Sequence, residues 1–349
     1  MKKLKNMKHV KYIKLVNLMV LVIIVAGIFW VFKNNETNND FNEDKLVVVS
    51  PHPIDFMEPL IHEFETETGI EVQVESYGTT DSINMILSDD GIDLMWGGSV
   101  MTVGSYVDEF YLYKSANYDS FYPEFRDSSG RITYFTDVPS ILMVNTDIVG
   151  QIKIKGYEDL LNPELKGKIA YALPANSSSS FEHLVNMLYA MGNGDPERGW
   201  DYVGKLIEQI DGNFLNSSSE VYNGVANGSY VVGLTFEEAA ITMLNAEKHV
   251  SIVYMAEGVV STPDGIYINK NSDKLFEAET FVDFMTSYDT QVFISKNLGR
   301  RSVRTDVSNS TLALAKDQIN IIQVDKNYVI ANKEIWIEKF SAMIEGDNN

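Results

Sequence analysis

A short apolar run closed by two prolines is the feature that most constrains this fold. Residues 46–49 read Leu-Val-Val-Val, and the next four residues, 50–53, read Ser-Pro-His-Pro. A β-branched run this short, ended by proline, is typical of a strand buried on both faces, as in parallel sheets. The sequence therefore predicts a central strand that ends at Ser50.

A helix and a second strand are predicted directly after this strand. Apolar residues recur at helical spacing from Met57 to Phe64, Asp55 is the predicted N-cap, and Gly69 is the predicted stop. Apolar and polar residues then alternate over 70–75, which indicates a strand. The order strand, helix, strand predicts an α/β fold, in which ligands bind where strands end and helices begin.

Three predicted strands end in turns that can hold a ligand, namely the strands over 46–50, 92–96 and 169–173. Glycines at such a turn let the backbone approach a ligand, and serines present hydroxyls beside free N–H groups of the next helix. The candidates are the serine, histidine and glycine residues of these turns: Ser50, His52, Gly98, Ser99, Ser178 and Ser179. A tight turn with a capping serine, or a solvated loop, is the alternative interpretation at each place.

Two later stretches carry charge. Glu237 and Glu238 follow the predicted strand 230–234, where they complement a helix dipole or accept hydrogen bonds from a ligand. Arg301 lies in the dense basic cluster 300–304 and is expected to pair with an anionic ligand or with an acidic residue.

The N-terminus predicts a membrane anchor. Residues 1–14 contain six lysines and no acidic residue, and residues 15–32 are apolar except for one asparagine and one glycine. Eighteen helical residues span roughly 27 Å, close to the thickness of a bilayer core. The lysines should stay cytoplasmic, so the rest of the chain lies on the extracytoplasmic face, tethered by the polar linker 33–44. A cleaved signal sequence, which would release the protein, is the alternative.

Composition excludes several functions. The formal charge of −21 opposes nucleic acid as a partner, and the absence of cysteine excludes disulfides and thiolate chemistry. The five histidines show no metal-ligand spacing, and neither a nucleophile elbow nor a phosphate-binding P-loop is present. We therefore expect a protein that is not an enzyme and that needs no cofactor or metal.

Six short motifs carry a resemblance to a known family. They are Ser50-Pro51-His52, Trp96-Gly97-Gly98-Ser99, the stretch 162–168, Pro174-Ala175-Asn176-Ser177-Ser178, the stretch 258–265 and Gly299 to Arg304. In this order they resemble the type 2 periplasmic solute-binding proteins of ABC importers, over nearly all of residues 45–349. Within that superfamily the chain is similar to the branch of ferric-iron, phosphonate and hexose-phosphate binders.

The resemblance implies two α/β lobes with a ligand cleft between them, joined by two crossing strands. Lobe one is expected over 45–138 and 258–305, lobe two over 139–257, and C-terminal helices over 306–349 are expected to brace the lobes. The expected partner is an ABC permease, and the receptor is expected to be a monomer.

The resemblance also bears on the ligand. Ferric-binding relatives carry paired tyrosines where this chain reads Phe236-Glu237-Glu238, whereas hexose-phosphate binders have carboxylates there. We therefore expect a phosphorylated sugar or related organophosphate, with the phosphate on the turn serines and the sugar hydroxyls on Glu237 and Glu238. His52 is expected to donate to the phosphate or to fix its loop. Two alternatives remain, a sensor subunit for a membrane histidine kinase and a ferric-iron receptor.

Overall fold

The computed structural model describes residues 44–88 and 91–347. The predicted membrane segment 15–32 and the basic segment before it lie outside the described residues. Within the described part of the chain, no helix combines the length and apolarity needed to cross a bilayer.

One extended sheet system runs through the molecule. Its strands, in chain order, are β1 Leu46–Ser50, β2 Val72–Ser76, β3 Leu94–Ser99, β4 Thr133–Asn145, β5 Ile169–Ala170, β6 Val232–Phe236, β7 Val250–Val253, β8 Ser261–Ile268 and β9 Arg301–Ser302. The hydrogen-bonded order is β2-β1-β3-β8-β4-β6-β5, and β7 and β9 also pair with β4. β1 pairs in parallel with β2 and β3, and all five of its residues are buried, as its sequence predicts.

Helices cover the sheet. The α-helices are α1 Ile54–Thr68, α2 Thr79–Ser88, α3 Val100–Val103, α4 Ser178–Met191, α5 Pro196–Ile210, α6 Ser218–Ala226, α7 Glu237–Asn245, α8 Leu275–Met285, α9 Tyr288–Asn297 and α10 Lys326–Asp347. Short 3₁₀ helices occur at Gly104–Glu109, Tyr118–Ser120, Pro123–Phe125, Glu158–Leu161, Pro163–Leu165 and Lys316–Gln318.

The strand β4 belongs to both halves of the molecule. Its first part, through Pro139, pairs with β8, and its second part, from Ser140 onward, pairs with β6. One hydrophobic core forms around Val48, Leu60 and Phe281 on the β1 side. A separate core forms around Leu184, Val203 and Trp336 on the other side. The molecule therefore has two lobes, each with its own core.

The C-terminal region differs from the predicted set of helices. Within the described part of 306–349, a single α-helix, α10, follows an irregular segment with one short 3₁₀ turn. Trp336 and Phe340 of α10 pack into the core around Leu184. Ile330 of the same helix reaches Gly104, where a Cβ would approach its Cδ1 to 2.6 Å.

The structure corrects one local prediction and also forms a strand where the local sequence favours a turn. Pro53, rather than Asp55, occupies the N-cap of α1 and makes no side-chain cap, so Asp55 stands in the first turn. Residues 263–265, Pro-Asp-Gly, read locally as a turn, yet they lie inside β8. Because β8 is paired with β4 over these residues, tertiary pairing outweighs the local turn preference.

Candidate functional site

A cavity of about 410 Å³ opens where strand ends and helix starts from both halves of the sheet meet. Its lining is rich in hydroxyls: Ser76, Thr79, Ser99, Ser177, Ser178, Ser179, Ser217, Ser218 and Ser219. The ionisable side chains on its wall are His52, Glu182, Asp264 and Arg300. The hydroxyl and ionisable side chains on this wall suit a small molecule that carries several polar groups.

Helix N-termini surround this cavity. The N-cap or first residue of α1, α2, α3, α4, α6 and α7 lines it: Pro53, Thr79, Ser99, Ser177, Ser217 and Phe236. The first N–H groups of a helix lack partners within the helix and carry partial positive charge. Six such ends give the cavity a field that favours an anion, although few of its side chains are basic.

Two of these helices begin with the same sequence. Asn176-Ser177-Ser178-Ser179 starts α4, and Asn216-Ser217-Ser218-Ser219 starts α6. Ser177 accepts a hydrogen bond from the Ser180 N–H at 3.4 Å, and Ser217 accepts one from the Glu220 N–H at 3.2 Å. The first serine of each run thus caps its helix, and all three serines of each run line the cavity.

The paired glycines after Trp96 are required by close packing. Gly97 and Gly98 have φ values of +105° and +89°, which few other residues adopt. A Cβ at Gly97 would lie 2.5 Å from His52 Nε2, so the glycine makes room for the imidazole. Gly98 itself lines the cavity, next to Ser99, which caps α3 by accepting from the Met101 N–H.

Arg300 is the buried cation on the cavity wall. Its Nη1 donates to Asp264 Oδ2 at 2.6 Å, and its Nε donates to Glu238 Oε2 at 3.0 Å. Its guanidinium also lies over the Phe56 ring, 4.6 Å from the centroid. Two carboxylates thus hold one arginine, and Asp264 keeps a face on the cavity.

His52 is neutral in this setting. Its Nδ1 lies 3.3 Å from Arg300 Nη2, and because arginine can only donate, Nδ1 accepts and Nε2 carries the proton. Burial, together with the charge of Arg300, lowers the pKa of His52 well below 6.5. The buried Nε2 has no hydrogen-bond partner, although Asp264 Oδ2 lies 3.9 Å away.

Glu182 faces the cavity from the first turns of α4. Burial raises the pKa of this carboxyl well above 4.5, a hydrogen bond to Ser99 opposes the shift, and Asp264 and Asp137 reinforce it. The carboxyl therefore binds a proton more readily than an ordinary glutamate does.

The two carboxylates predicted as sugar ligands are engaged by arginines. Glu237 accepts from Arg301 through both oxygens, with Arg301 Nη2 to Glu237 Oε2 at 2.7 Å. Glu237 also accepts from the Tyr254 hydroxyl at 2.6 Å, and burial raises its pKa despite the arginine. Both members of the Glu237 and Arg301 pair are 2% exposed, so the pair lies beneath the cavity wall.

The predicted site residues thus fall into two groups. The structure brings five of them onto the cavity wall: His52, Gly98, Ser99, Ser178 and Ser179. The other four are absent from that wall: Ser50, Glu237, Glu238 and Arg301. Ser50 is fully buried, where its hydroxyl donates to the Trp96 carbonyl and accepts from the His52 N–H. It therefore connects β1 to β3 and shapes the loop that carries His52.

Several wall residues were not predicted. Ser217, Ser218 and Ser219 repeat the Asn-Ser-Ser-Ser pattern of α4, so this repeat was a usable signal. Asp264 was hidden in an apparent turn. Glu182 carries no local signal, and Arg300 lies in the basic cluster 300–304, from which the sequence analysis selected its neighbour Arg301 instead.

Contacts cross the cavity between the two halves of the sheet. The Ser178 hydroxyl, at the start of α4, donates to Thr79 Oγ1, at the start of α2, at 2.9 Å. A second hydrogen bond, between the side chains of Glu182 and Ser99, also crosses the cavity. In the part of the chain that the structure describes, no cluster of three His, Cys, Asp or Glu side chains could hold a metal ion.

Comparison with solved structures shows the fold. A two-component system protein that mediates signal transduction has 28% identity and a TM-score of 0.74, over 86% of this chain and 99% of that one. The periplasmic binding protein AfuA from Actinobacillus pleuropneumoniae, solved with fructose-6-phosphate, has 22% identity and a TM-score of 0.77, over 86% of this chain and 98% of AfuA. The apo ferric-ion-binding protein A of Pasteurella haemolytica has 16% identity and a TM-score of 0.74, over 86% of this chain and 98% of that protein. The chain therefore has the two-lobed periplasmic-binding-protein fold.

Comparison with sequences shows the family. The chain is 20% identical, over 229 residues, to a probable ABC transporter periplasmic-binding protein, y4fP, of Sinorhizobium fredii, and the match spans 63% of each protein. Residues 59–320 match the model of the bacterial extracellular solute-binding protein family. This match covers most of the chain, so the protein belongs to the bacterial extracellular solute-binding proteins.

Proposed function

We propose that this chain is the extracytoplasmic receptor of an ABC importer and that it binds a phosphorylated sugar or a related organophosphate. The observation that carries this proposal is the cavity itself, where six helix N-termini and nine serine and threonine hydroxyls converge beside a carboxylate. A family of solute carriers also supports binding rather than catalysis.

The phosphate is assigned to the serine-rich side of the cavity. Hydroxyls and N–H groups at the starts of α4 and α6, with Ser99 opposite, can solvate a phosphate without a lysine. The Nε2–H of His52, which has no hydrogen-bond partner, offers a further donor. This side therefore donates hydrogen bonds and accepts few.

The hydroxyl-bearing part of the ligand is assigned to Asp264. Its carboxylate is fixed by Arg300 and remains on the wall, so it can accept hydrogen bonds from sugar hydroxyls, each contributing roughly 1.5–3 kcal/mol. The same negative charge repels a bare phosphate, which suits a ligand with two kinds of polar group. Asp264 thus takes the role that the sequence assigned to Glu237 and Glu238.

The family supports the proposed location and the proposed transport partner. Extracellular solute-binding proteins act outside the cytoplasm, and the relative from Sinorhizobium fredii is itself described as a probable ABC transporter component. We propose that residues 15–32 anchor the chain, that lobe one and lobe two divide at 138/139 and 257/258, and that an ABC permease receives the ligand from a monomeric receptor.

A calorimetric titration tests the ligand. The full chain, purified in mild detergent, is titrated with fructose 6-phosphate, fructose, inorganic phosphate and methylphosphonate. We expect the sugar phosphate to bind at least tenfold more tightly than fructose or inorganic phosphate, because only it uses both sides of the cavity. Equal affinity for fructose and fructose 6-phosphate would contradict the proposal, as would tight binding of inorganic phosphate alone.

A ligand-sensing subunit of a membrane histidine kinase is the second candidate. The similarity at 28% identity to a two-component system protein favours it. The two roles share the same cavity and differ in the membrane partner. Neighbouring genes for a permease and an ATPase support transport, whereas a neighbouring kinase and response regulator support sensing.

A ferric-iron receptor is less well supported. The solved relative from Pasteurella haemolytica binds ferric ion, but this chain has Phe236 on the cavity wall and one tyrosine, Tyr222, among the residues of that wall. Hard phenolate and carboxylate oxygens in a cluster are what Fe³⁺ requires. Titration with Fe³⁺ should give no phenolate charge-transfer band, and such a band would reopen the iron hypothesis.

A further inference from the structure

A second cavity of about 300 Å³ adjoins the first. Residues of α2, α3, α4 and α10 line it, among them Thr79, Thr102, Ser178 and Lys333. Thr79 and Ser178 line both cavities, and the 2.9 Å hydrogen bond between their hydroxyls marks the boundary. The two cavities are therefore adjacent compartments of one cleft.

Donors in the second cavity lack partners. Thr102 belongs to the cavity wall and is 4% exposed. Its buried hydroxyl has no hydrogen-bond partner. A buried hydroxyl without a partner carries a free-energy cost that a ligand oxygen can remove. The N-termini of α2, at Thr79, and α4, capped by Ser177, also reach this cavity.

Lys333 places a cation on the same wall. Its side chain is 13% exposed, and its ion-pair partner Glu334 is 78% exposed, at an Nζ to Oε1 distance of 3.7 Å. Burial lowers the pKa of Lys333, and Glu334 opposes that shift. Glu334 also lines the cavity, but a solvated carboxylate at this distance neutralises the buried ammonium only weakly.

We propose that the second cavity binds a second acidic group of the same ligand, so that the preferred ligand is an organophosphate with two anionic ends. Lys333 and Thr102 contact the second anionic group, while the first cavity holds the phosphorylated sugar as in the proposed function, on which this inference rests. The ligand class is a sugar bisphosphate or a phosphorylated sugar acid. The hydroxyls of Thr79 and Ser178, at the boundary of the two cavities, then lie between the two anionic groups.

The first test compares three probes on the full chain in detergent by calorimetry. Fructose 1,6-bisphosphate and 6-phosphogluconate carry a second anionic end, and fructose 6-phosphate does not. We call these two compounds the two-ended probes, and we expect at least one of them to bind about ten- to a hundredfold more tightly than fructose 6-phosphate. If the bisphosphate binds more tightly, the second anionic group is a phosphate. If 6-phosphogluconate binds more tightly, the second group is a carboxylate.

Two variants assign the effect to residues. Lys333→Met should remove the advantage of the two-ended probe and leave the affinity for fructose 6-phosphate unchanged. Lys339→Met is the matched control, because Lys339 lies on the same helix with an acidic partner, Glu197, and is not among the cavity residues. Lys339→Met should still bind the two-ended probe more tightly than fructose 6-phosphate, by the same factor as the wild type.

Thr102→Val removes the unpaired hydroxyl and keeps the shape of the side chain. We expect this variant to bind the two-ended probe several-fold more weakly than the wild type, while the urea midpoint of unfolding stays the same or rises. Ser82→Ala is its control, since Ser82 also has a buried unpartnered hydroxyl but lies outside both cavity walls. Ser82→Ala should not change the affinity for any probe.

The outcomes separate the two proposals. If the wild type binds all three phosphorylated probes equally and Lys333→Met changes nothing, the second site is overturned and the proposed function stands. If no phosphorylated probe binds, both are overturned. If the two-ended probe binds more tightly but Lys333→Met keeps the advantage, the second acidic group binds elsewhere and the assignment to this cavity is wrong.

Discussion

Arg300 and Arg301 are consecutive, yet their guanidinium groups have different surroundings. Successive side chains of an extended segment point to opposite faces, so Arg300 reaches the cavity while Arg301 is directed beneath it. Each arginine takes one member of the adjacent acidic pair, Glu238 and Glu237 respectively. One dipeptide therefore supplies a group for the binding site and a group for stability.

Removing one member of the buried pair tests this division. Glu237→Gln leaves Arg301 charged and buried with a weaker partner, so we expect the free energy of unfolding to fall by about 3 kcal/mol. Asp306→Asn breaks the pair with Arg304, but Asp306 is 48% exposed, so a loss below about 1 kcal/mol is expected. Urea unfolding measures both values. Loss of fructose 6-phosphate affinity in Glu237→Gln at unchanged stability would instead make Glu237 a ligand-binding residue.

Glu182 predicts a pH dependence of stability. Its pKa is raised in the folded protein by burial, so the unfolded chain releases this proton first as the pH rises. The contribution of Glu182 to stability is complete below its ordinary pKa of 4.5 and is lost as the pH rises through its folded pKa. Glu182→Gln removes this pH-dependent loss of stability, because glutamine does not ionise.

We therefore expect the stability of Glu182→Gln, relative to wild type, to increase with pH above 4.5 and to level off above the folded pKa. Urea unfolding at a series of pH values, with both proteins in the same buffers, measures the difference. Parallel stability curves would show that the carboxyl does not change its pKa on folding.

At the scale of elements, α4 and α6 begin with the same N-terminal sequence and the same type of N-cap. Each begins with Asn-Ser-Ser-Ser, and in each the first serine caps the helix while all three serines line the cavity. We assign capping to the first hydroxyl and the proposed ligand binding to the next two, so the two roles can be tested by separate substitutions.

Single serine substitutions in α6 should separate the two roles. Ser217→Ala removes the cap and should lower the free energy of unfolding by about 1 kcal/mol, whereas Ser217→Asn should restore it. Ser218→Ala should leave stability unchanged and lower the affinity for fructose 6-phosphate about fivefold. Calorimetry and urea unfolding give the two readouts. Equal loss of stability in both alanine variants would contradict the division.

The elements were more predictable than their contacts. The buried run at β1 and the helical spacing in α1 are local patterns, so the sequence predicts these elements and the turn at His52. Asp264 was missed because local turn preference and strand pairing disagree at Pro263, and pairing with β4 prevails. Arg300 was missed because its partners, Glu238 and Asp264, are distant in sequence and only the fold brings them together.

At the scale of the whole molecule, the cleft is bridged by direct contacts between the halves of the sheet. The hydrogen bond from Ser178 to Thr79 connects the starts of α4 and α2 at 2.9 Å. Movement of one half away from the other breaks this contact. Exchange of the ligand should therefore depend on this bridge.

A disulfide can test this dependence, because the chain contains no cysteine. Thr79→Cys with Ser178→Cys places two thiols where hydroxyls now touch, and oxidation should close the bridge. We expect association of fructose 6-phosphate, measured by stopped flow, to slow at least tenfold on oxidation and to recover with dithiothreitol. The two single-cysteine variants serve as controls. Unchanged association in the oxidised double variant would show that the ligand enters by another route.

The division of β4 between two sets of partners has a mechanical consequence. This continuous strand pairs with β8 up to Pro139 and with β6 from Ser140, and the Ser140 N–H is also held by the Val260 carbonyl. Because β4 is continuous, separation of the two lobes requires backbone torsion where the strand changes partners, near Pro139 and Ser140, and at the second proposed crossing near 257/258. Amide protons along β4 should accordingly stay protected from exchange in the open and the closed receptor alike, and we expect the lobes to rotate about this strand rather than to part from it.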